Sequence, residues 1–555
     1  MHLFLLFYLM AVTFFIYWVI IKVAYIANLW HIFLTRDKKA EVLNMDMKKR
    51  DIVLNKTAAE TSSSVVVECD IIVPDVKPDL LKILQTDAVV ALNKKEVTDG
   101  GYSIGGRVDF TVLYVPESAK GVCSLSASAD FTDNESHPLA KNGMFMDAAA
   151  DIEHLEFNLI NSRKINIKAV VGIDMQMMEK LPLSIPSELE GEGVMMKKEK
   201  LSGLCRVLQK NDEIKLTDEL SIPQGKPTIE TLLKSDVALR NKDIKVIAGK
   251  IVAKGELSIC SLYISEGDGM ATFVENCMPF TEILDAQGIS EDNYNNIDFH
   301  VIKSNVNAIP DADGDLRTLD CDIKLGVSIS SDEKVSEDVI ADVYSTSKKL
   351  NINSNSIEVD SLTSSVEISH TIKENIMPEE DLPPISHIYN VVAKPYISSA
   401  TAQDGKIVLE GIIDTYILYI SPKEDSPVYN FKAEVPFSVT LDAPGASAGD
   451  KVRSKMTVNH ISYNLNAAGE IELRMVLMVN AATFSKNTVS VISDISEEEF
   501  EHGKGPSIVL YFIQKGDTLW DIAKRYHTKE EYIRKLNNID GEILTEGMQI
   551  LIPKA

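Results

Sequence analysis

One spacing, written three times, limits what this chain can fold into more than any other feature. The strand-like runs GRVDFTVLYV (106–115), GELSICSLYI (255–264) and GIIDTYILYI (411–420) each carry a Gly eight residues before a Tyr, and each sets that Tyr in Leu-Tyr-Val/Ile. Thirty-six residues before Tyr114, Tyr263 and Tyr419 stand Pro78, Pro227 and Pro383. The prolines introduce comparable apolar segments, DLLKILQTDAVV, TIETLLKSDVAL and PISHIYNVVAKP. Agreement at two fixed offsets in three places reads as three copies of one unit of about 120 to 150 residues.

Each copy reads as strands. KINIKAVVGI (164–173), LDCDIKLGVSI (319–329) and EIELRMVLMV (470–479) alternate or run apolar, and polar DADGD and NAAGE turns precede two of them. Short strands separated by such turns, with few helical patterns, predict a multidomain, mainly β chain of three β-sandwich-like units followed by a small α+β (βααβ) module. The expected layout is an apolar N-terminal segment at 1–44, repeats at 52–182, 205–345 and 358–490, an acidic linker at 491–506 and the module at 507–555. IPSELEGEGVMMKKEKLSGL (185–204) reads as the linker between the first two copies.

A hydrophobic content of 45% with 25% charged residues is globular composition, which excludes a disordered or fibrous chain. The net charge of −26 repels phosphate backbones and anionic lipid, so nucleic acid is excluded as a partner and protein partners are favoured. Six scattered cysteines without a C-x-x-C pair read as reduced, mostly buried thiols. Residues 3–21, LFLLFYLMAVTFFIYWVII, are uncharged and long enough to cross a bilayer. Two readings are open. Either the segment is a membrane anchor with the basic side, and hence the body, in the cytoplasm, or translation starts at Met45, Ala40-Glu41-Val42 being encodable as a ribosome-binding run. Membrane contact is expected only in the first case.

Motifs for chemistry are weak. Ser345-x-x-Lys348 lacks the companion boxes of penicillin-binding enzymes and reads as a surface loop. Asp311-Ala-Asp313-Gly-Asp315 lacks the distal Glu of a calcium loop and reads as a hairpin turn. No phosphate-cradling G-x-x-x-x-G-K-[ST] occurs and the ten histidines are dispersed. The expectation is a non-enzyme without catalytic residues, metal or cofactor, with the repeated tyrosines in the core.

The C-terminus is more specific. IVLYFIQ alternates as a strand, Gly516 turns the chain, and Thr518-x-x-Asp521 is a capping box for a helix with Leu519, Ile522, Ala523 and Tyr526 on one face. Thr528-x-x-Glu531 is read as the cap of a second helix, and MQILIP as a closing strand. Strand, helix, helix, strand with Tyr511, Gly516-Asp517-Thr518-Leu519-Trp520, Ile522-Ala523, Tyr526, Asn537, Gly547 and Ile550-x-Ile552-Pro553 resembles the LysM fold. That resemblance implies a shallow N-acetylglucosamine groove between Gly516, Asp517, Thr518, Leu519 and Trp520 on one side and Asn538, Ile539, Asp540 and Gly541 on the other. The module is neutral, seven Lys and Arg against seven Asp and Glu from Pro506 onward, on an acidic chain.

Repeated β-rich units followed by one LysM, together with IIVPDVKP and SIPQGKP, resemble the spore-coat morphogenetic proteins of the SipL and SpoVID type. The resemblance implies a sporulation protein in the mother-cell cytoplasm at the forespore surface. It would dock on the basement-layer ATPase SpoIVA and other coat proteins, partly through LysM, with Leu519, Trp520 and Ile539 as candidate anchors. The competing reading is an exported or membrane-anchored protein that binds N-acetylglucosamine glycan. A LysM-tethered wall hydrolase would need a catalytic constellation that the sequence does not display.

Overall fold

A computed structural model describes residues 47–117, 121–191, 193–267, 269–378, 381–421, 428–498, 507–539, 541 and 544–553. The apolar segment at 3–21 and Met45 lie outside these residues. Among the described residues, no helix is long and apolar enough to cross a membrane.

The first repeat consists of six strands: β1 (Met47–Ile72), β2 (Leu80–Thr98), β3 (Gly101–Pro116), β4 (Cys123–Ser136), β5 (Phe145–Asn161) and β6 (Lys164–Leu189). They form two antiparallel three-stranded sheets, ordered β2-β3-β4 and β1-β6-β5. The second repeat does the same with β7 (Val194–Ser221), β8 (Ile229–Ile247), β9 (Lys250–Ser265), β10 (Ala271–Asp285), β11 (Tyr294–Pro310) and β12 (Leu316–Ser345). The third uses β13 (Lys349–Ile376), β14 (His387–Gln403), β15 (Lys406–Ile420), β16 (Val428–Asp442), β17 (Lys451–Leu465) and β18 (Ile471–Glu498). Each pair of sheets closes over its own core, as alternating patterns demand.

The repeated spacing has a physical cause. The Tyr114, Tyr263 and Tyr419 hydroxyls donate to the carbonyls of Pro78, Pro227 and Pro383 at 3.0, 2.9 and 3.0 Å, with all three rings fully buried. A buried hydroxyl needs a partner, and the proline carbonyl just before each second strand supplies one. The repeated glycines have an equally local reason. Gly106, Gly255 and Gly411 pair across the strands with Phe131, Phe280 and Phe437. A Cβ on Gly106 or Gly255 would sit 2.6 or 2.9 Å from its phenyl ring, and on Gly411 2.0 Å from the Tyr396 carbonyl oxygen. The leucine beside each tyrosine faces the other way. Leu113, Leu262 and Leu418 meet in one buried cluster drawn from all three repeats.

Bulges aim further residues into that junction. Leu84, Leu233 and Tyr389 are the extra residues of β2, β8 and β14, at the same repeat position, and pack there as well. Beside them, Lys234 Nζ is held by Asp87 of the first repeat and by Asp236 at 3.1 Å, and Asn390 Nδ2 donates to Asp236 Oδ2 at 3.0 Å. Burial pushes the Lys234 ammonium down, but Asp236 and Asp87 outweigh it and hold the group above its ordinary value.

The long outer strands correct the expected linkers. Within residues 185–204 β6 runs on to Leu189 and β7 starts at Val194, and β18 runs on to Glu498 through the acidic stretch expected to be a linker from 491. Ile185, Leu201, Ile492 and Ile495 are buried because two strands from each repeat converge here: Leu54, Ile185, Leu201, Val339, Val359 and Val489 form one cluster. The acidic and Gly-rich composition masks that apolar alternation. The three sandwiches thus meet in two buried clusters, each drawn from all three repeats.

The turns behave as expected. Asp311 Oδ1 accepts the N–H groups of Asp313 and Asp315, and Gly314 takes φ +92°. Ser345 Oγ accepts from the Lys348 N–H at 3.3 Å while Lys348 Nζ pairs with Glu497, so the Ser-x-x-Lys motif is a turn between repeats. All six cysteines are free, but only Cys260 and Cys321 are buried and Cys277 is exposed, so the thiols are less buried than expected.

Candidate functional site

The C-terminal module runs β19 (Ile508–Phe512), α1 (Leu519–Arg525), α2 (Glu530–Asn537) and β20 (Gln549–Pro553), with β19 and β20 antiparallel. Its core is built from Ile513, Leu519, Ile522, Ala523, Ile533, Ile550 and Ile552. Thr518 caps α1, accepting the Asp521 N–H at 3.1 Å. The second cap differs from expectation. α2 starts at Glu530 with Lys529 at the cap position, and Thr528 is fully buried instead, its carbonyl accepting the Tyr344 hydroxyl.

The groove residues divide by what they touch. Asp517 Oδ2 accepts the Tyr511 hydroxyl at 2.7 Å and the Gln514 N–H at 2.8 Å. Those two hydrogen bonds, Tyr511 first, hold its carboxyl below the usual range and bind it into the loop. Leu519 is only 5% exposed and belongs to the core, so it is not an anchor for a partner. Gly516, at φ +90°, and Thr518 line the exposed first rim. Asn538, at φ +54°, Gly541 and the half-buried Ile539 form the second, fixed by Arg534 Nη1 to the Gly541 carbonyl at 2.8 Å. Asp540 lies outside the described residues. Asn537 staples the second rim to β20, exchanging hydrogen bonds with the Leu551 backbone at 2.6 Å in both directions.

Trp520 is committed to the second repeat. Its indole N–H donates to Asp342 Oδ2 at 2.7 Å, and its ring meets Tyr344 edge to face at a centroid distance of 4.9 Å. Lys524 Nζ reaches Asp342 Oδ1 at 2.6 Å, the Tyr344 hydroxyl donates to the Thr528 carbonyl at 2.9 Å, and His527 Nδ1 lies 3.1 Å from the Ser345 carbonyl. The module is therefore clamped on the end of β12. Burial pushes the Asp342 carboxyl up, but the bonds from Lys524 and Trp520 outweigh it and hold the group below its ordinary value. Sequence reasoning misses this clamp. Asp342 and Tyr344 lie in an ordinary strand end, and only the odd pairing of a Trp with a Lys four residues on hints at a second charged surface.

The module leaves Gly516, Thr518, Asn538 and Gly541 exposed on its two loops, while Trp520, Lys524 and His527 are committed to the second repeat. Among the described residues no cluster of His, Cys, Asp and Glu has the spacing of a metal site.

Comparison with known families agrees with this anatomy. The SipL family model, described as the SPOCS domain, matches residues 79–160, 228–309 and 384–466, and a LysM domain model matches 511–553. Each SPOCS match begins on the residue after a repeat proline and spans the four middle strands, so the two long outer strands of every sandwich lie outside it. Searches of curated proteins and of solved structures returned no match. SPOCS and LysM are binding-type domains without catalytic machinery. With three SPOCS domains ahead of one LysM domain, the chain belongs to the SipL-like, sporulation-related proteins.

Proposed function

We propose that this protein is a non-enzymatic assembly factor of the spore coat that docks on the basement-layer ATPase SpoIVA, partly through its LysM domain, in the mother-cell cytoplasm at the forespore surface. The observation that carries the reading is the clamp between α1 and β12. A LysM domain that grips glycan on a wall works as well on a flexible tether, whereas this one is held by Asp342 and Tyr344 at a fixed orientation on a large β body. Rigid presentation favours a protein partner, because it lowers the ordering cost of a two-sided interface. The exposed rim of Gly516, Thr518, Asn538 and Gly541 is the proposed docking edge. The acidic body makes a basic or neutral partner surface the complementary one.

A second reading draws on the same rim. The exposed loops at Gly516 and Asn538 are also where the LysM resemblance would seat an N-acetylglucosamine chain, and an exported or anchored protein would use them so. Localisation of a fluorescent fusion in sporulating cells separates the two. The coat reading expects a shell around the forespore that disperses when SpoIVA is deleted; a signal at the cell periphery that ignores SpoIVA contradicts it.

A further inference from the structure

The antiparallel pair of β19 and β20 turns one face into the LysM core, where Ile550 and Ile552 are buried. The face left to water should then be polar, as on most antiparallel sheets. It is apolar instead. Ile508, Leu510 and Phe512 alternate along β19, Leu551 lies directly across from Leu510, and all four are 38 to 54% exposed with the whole body in place. β19 itself, Ile508–Phe512, holds no charged residue.

The main chain of β19 is open as well. Asn537 exchanges hydrogen bonds with the N–H and carbonyl of Leu551, so these groups point away from β19, and Leu510 with Leu551 is one of the unbonded pairs of the ladder. The N–H and carbonyl of Leu510, and those of Ile508 and Phe512 in phase with it, therefore point to the far side of β19. Among the described residues no strand pairs there. The Gln514 side chain donates to the Phe512 carbonyl at 2.9 Å, which leaves that oxygen a second lone pair. Edges elsewhere are blunted. Every edge strand of the three sandwiches carries charged side chains, and β10, β14 and β16 also hold Pro279, Pro395 and Pro436. Charge and proline keep an edge from pairing with another chain, and β19 has neither.

We propose that the free edge of β19 pairs with the same edge of a second copy of this chain, antiparallel about a two-fold axis at Leu510, so that two LysM sheets become one sheet of four strands. The strand is self-complementary in that register. Leu510 meets Leu510 of the second copy in a bonded pair, and Ile508 meets Phe512 of the second copy on either side, apolar against apolar with no charges opposed. Charge points to the same place. Two chains at −26 repel, and the LysM domain, with seven Lys and Arg against seven Asp and Glu from Pro506 onward, is the neutral part through which they can approach. A strand of five residues buries much less than the roughly 1,200 Å² of a stable interface, so the dimer is weak and forms where chains are crowded together. The rim at Gly516 and Asn538 takes no part in it.

Sedimentation velocity of the full chain from micromolar to near-millimolar concentration at physiological salt tests this. A monomer that gives way to a dimer in the upper part of the range is expected. Leu510→Lys, at a position already exposed, is expected to weaken the dimer at least about tenfold without unfolding the domain. Association driven by the apolar stretch at 3–21 would survive that substitution. In a Cys277→Ser background, which removes the exposed thiol, Leu510→Cys is expected to give a disulfide-linked dimer under oxidised glutathione, since the two-fold pair sets its Cα atoms about 5.5 Å apart. Leu551→Cys, one strand farther from the axis in each copy, is expected to give none. A chain monomeric at every concentration, self-association unchanged by Leu510→Lys, or equal cross-linking at 510 and 551 overturns the proposal; in the first case the face is left to a different protein.

Discussion

The inside of each SPOCS sandwich and the surfaces on which the sandwiches meet are built by opposite rules. Inside, the three copies repeat the same devices: a tyrosine hydroxyl on a proline carbonyl and a glycine under a phenylalanine ring. At the junctions, equivalent positions diverge. Gln85, Lys234 and Asn390 are one position, as are Asp87, Asp236 and Val392. Lys234 finds Asp87 and Asn390 finds Asp236, but in the third contact Val392 offers nothing and Gln85 Oε1 is left buried without a partner among the described residues. Three identical junctions would let repeats associate in any order or between chains. Divergent ones specify one closed arrangement, in which a buried charge has a single correct partner.

That contrast can be broken most forcefully at the junction. Arg206 is 4% exposed, donates to Asp332 at 2.7 Å and to Asp147 at 3.0 Å, and thereby joins the first two repeats. Arg206→Ala leaves two carboxylates facing each other without a cation and is expected to cost about 3 to 5 kcal/mol. Urea unfolding followed by circular dichroism would show it; a loss under about 1 kcal/mol would mean that the junction is wetter and looser than described.

Interior changes should cost less, and those at the repeated tyrosines should be alike in all copies. Gly255→Ala drives a methyl into the Phe280 ring, which yields only by leaving its rotamer, at about 1 to 3 kcal/mol. Gly411→Ala meets a backbone carbonyl and belongs at the upper end of that range. Replacing Tyr114, Tyr263 or Tyr419 by Phe removes one hydrogen bond each and is expected to cost about 1 kcal/mol, with the proline carbonyl left unpaired. Unequal values among the three, compared by melting temperature, would refute the claim that the interiors are equivalent.

The smallest effect concerns the clamp. The Asp342 carboxyl is held below its ordinary value, so its contribution is present above the unfolded-state pKa and is lost as pH falls through the folded one. Acidification below about pH 4, or Asp342→Asn, is expected to loosen the LysM domain by about 1 kcal/mol or less, since the pair is partly exposed. Trp520 emission should shift red, best read after replacing Trp18 and Trp30 with Phe. An unchanged spectrum would place the indole off β12.

The interiors are legible in the amino-acid sequence. Pro78, Gly106 and Tyr114 with their counterparts mark the three copies, because an interior built from local fits leaves fixed offsets. The helix cap at Thr518 and the apolar face of α1 are equally readable. What escapes is everything between units. Arg206 in GLCRVLQK looks like an ordinary strand residue until Asp147 and Asp332 arrive from elsewhere. Residues 185–204 look like a linker because Glu and Gly are frequent there, although Ile185 and Leu201 are buried by strands from the other repeats. Trp520 belongs to the groove by its position beside Leu519, and only the fold shows that its ring turns to Tyr344. Contacts that depend on the order of whole units leave no spacing in one chain.

The proposed role rests on the rim of the LysM domain as a protein-docking edge, and one titration addresses it. The full chain and its Asn538→Lys, Gly541→Glu variant would be titrated in parallel with purified SpoIVA and with N-acetylglucosamine oligomers at physiological salt. SpoIVA binding that the rim variant weakens about tenfold or more is predicted, with sugar binding weak in both. Tight sugar binding that the variant abolishes, with no affinity for SpoIVA, would contradict it.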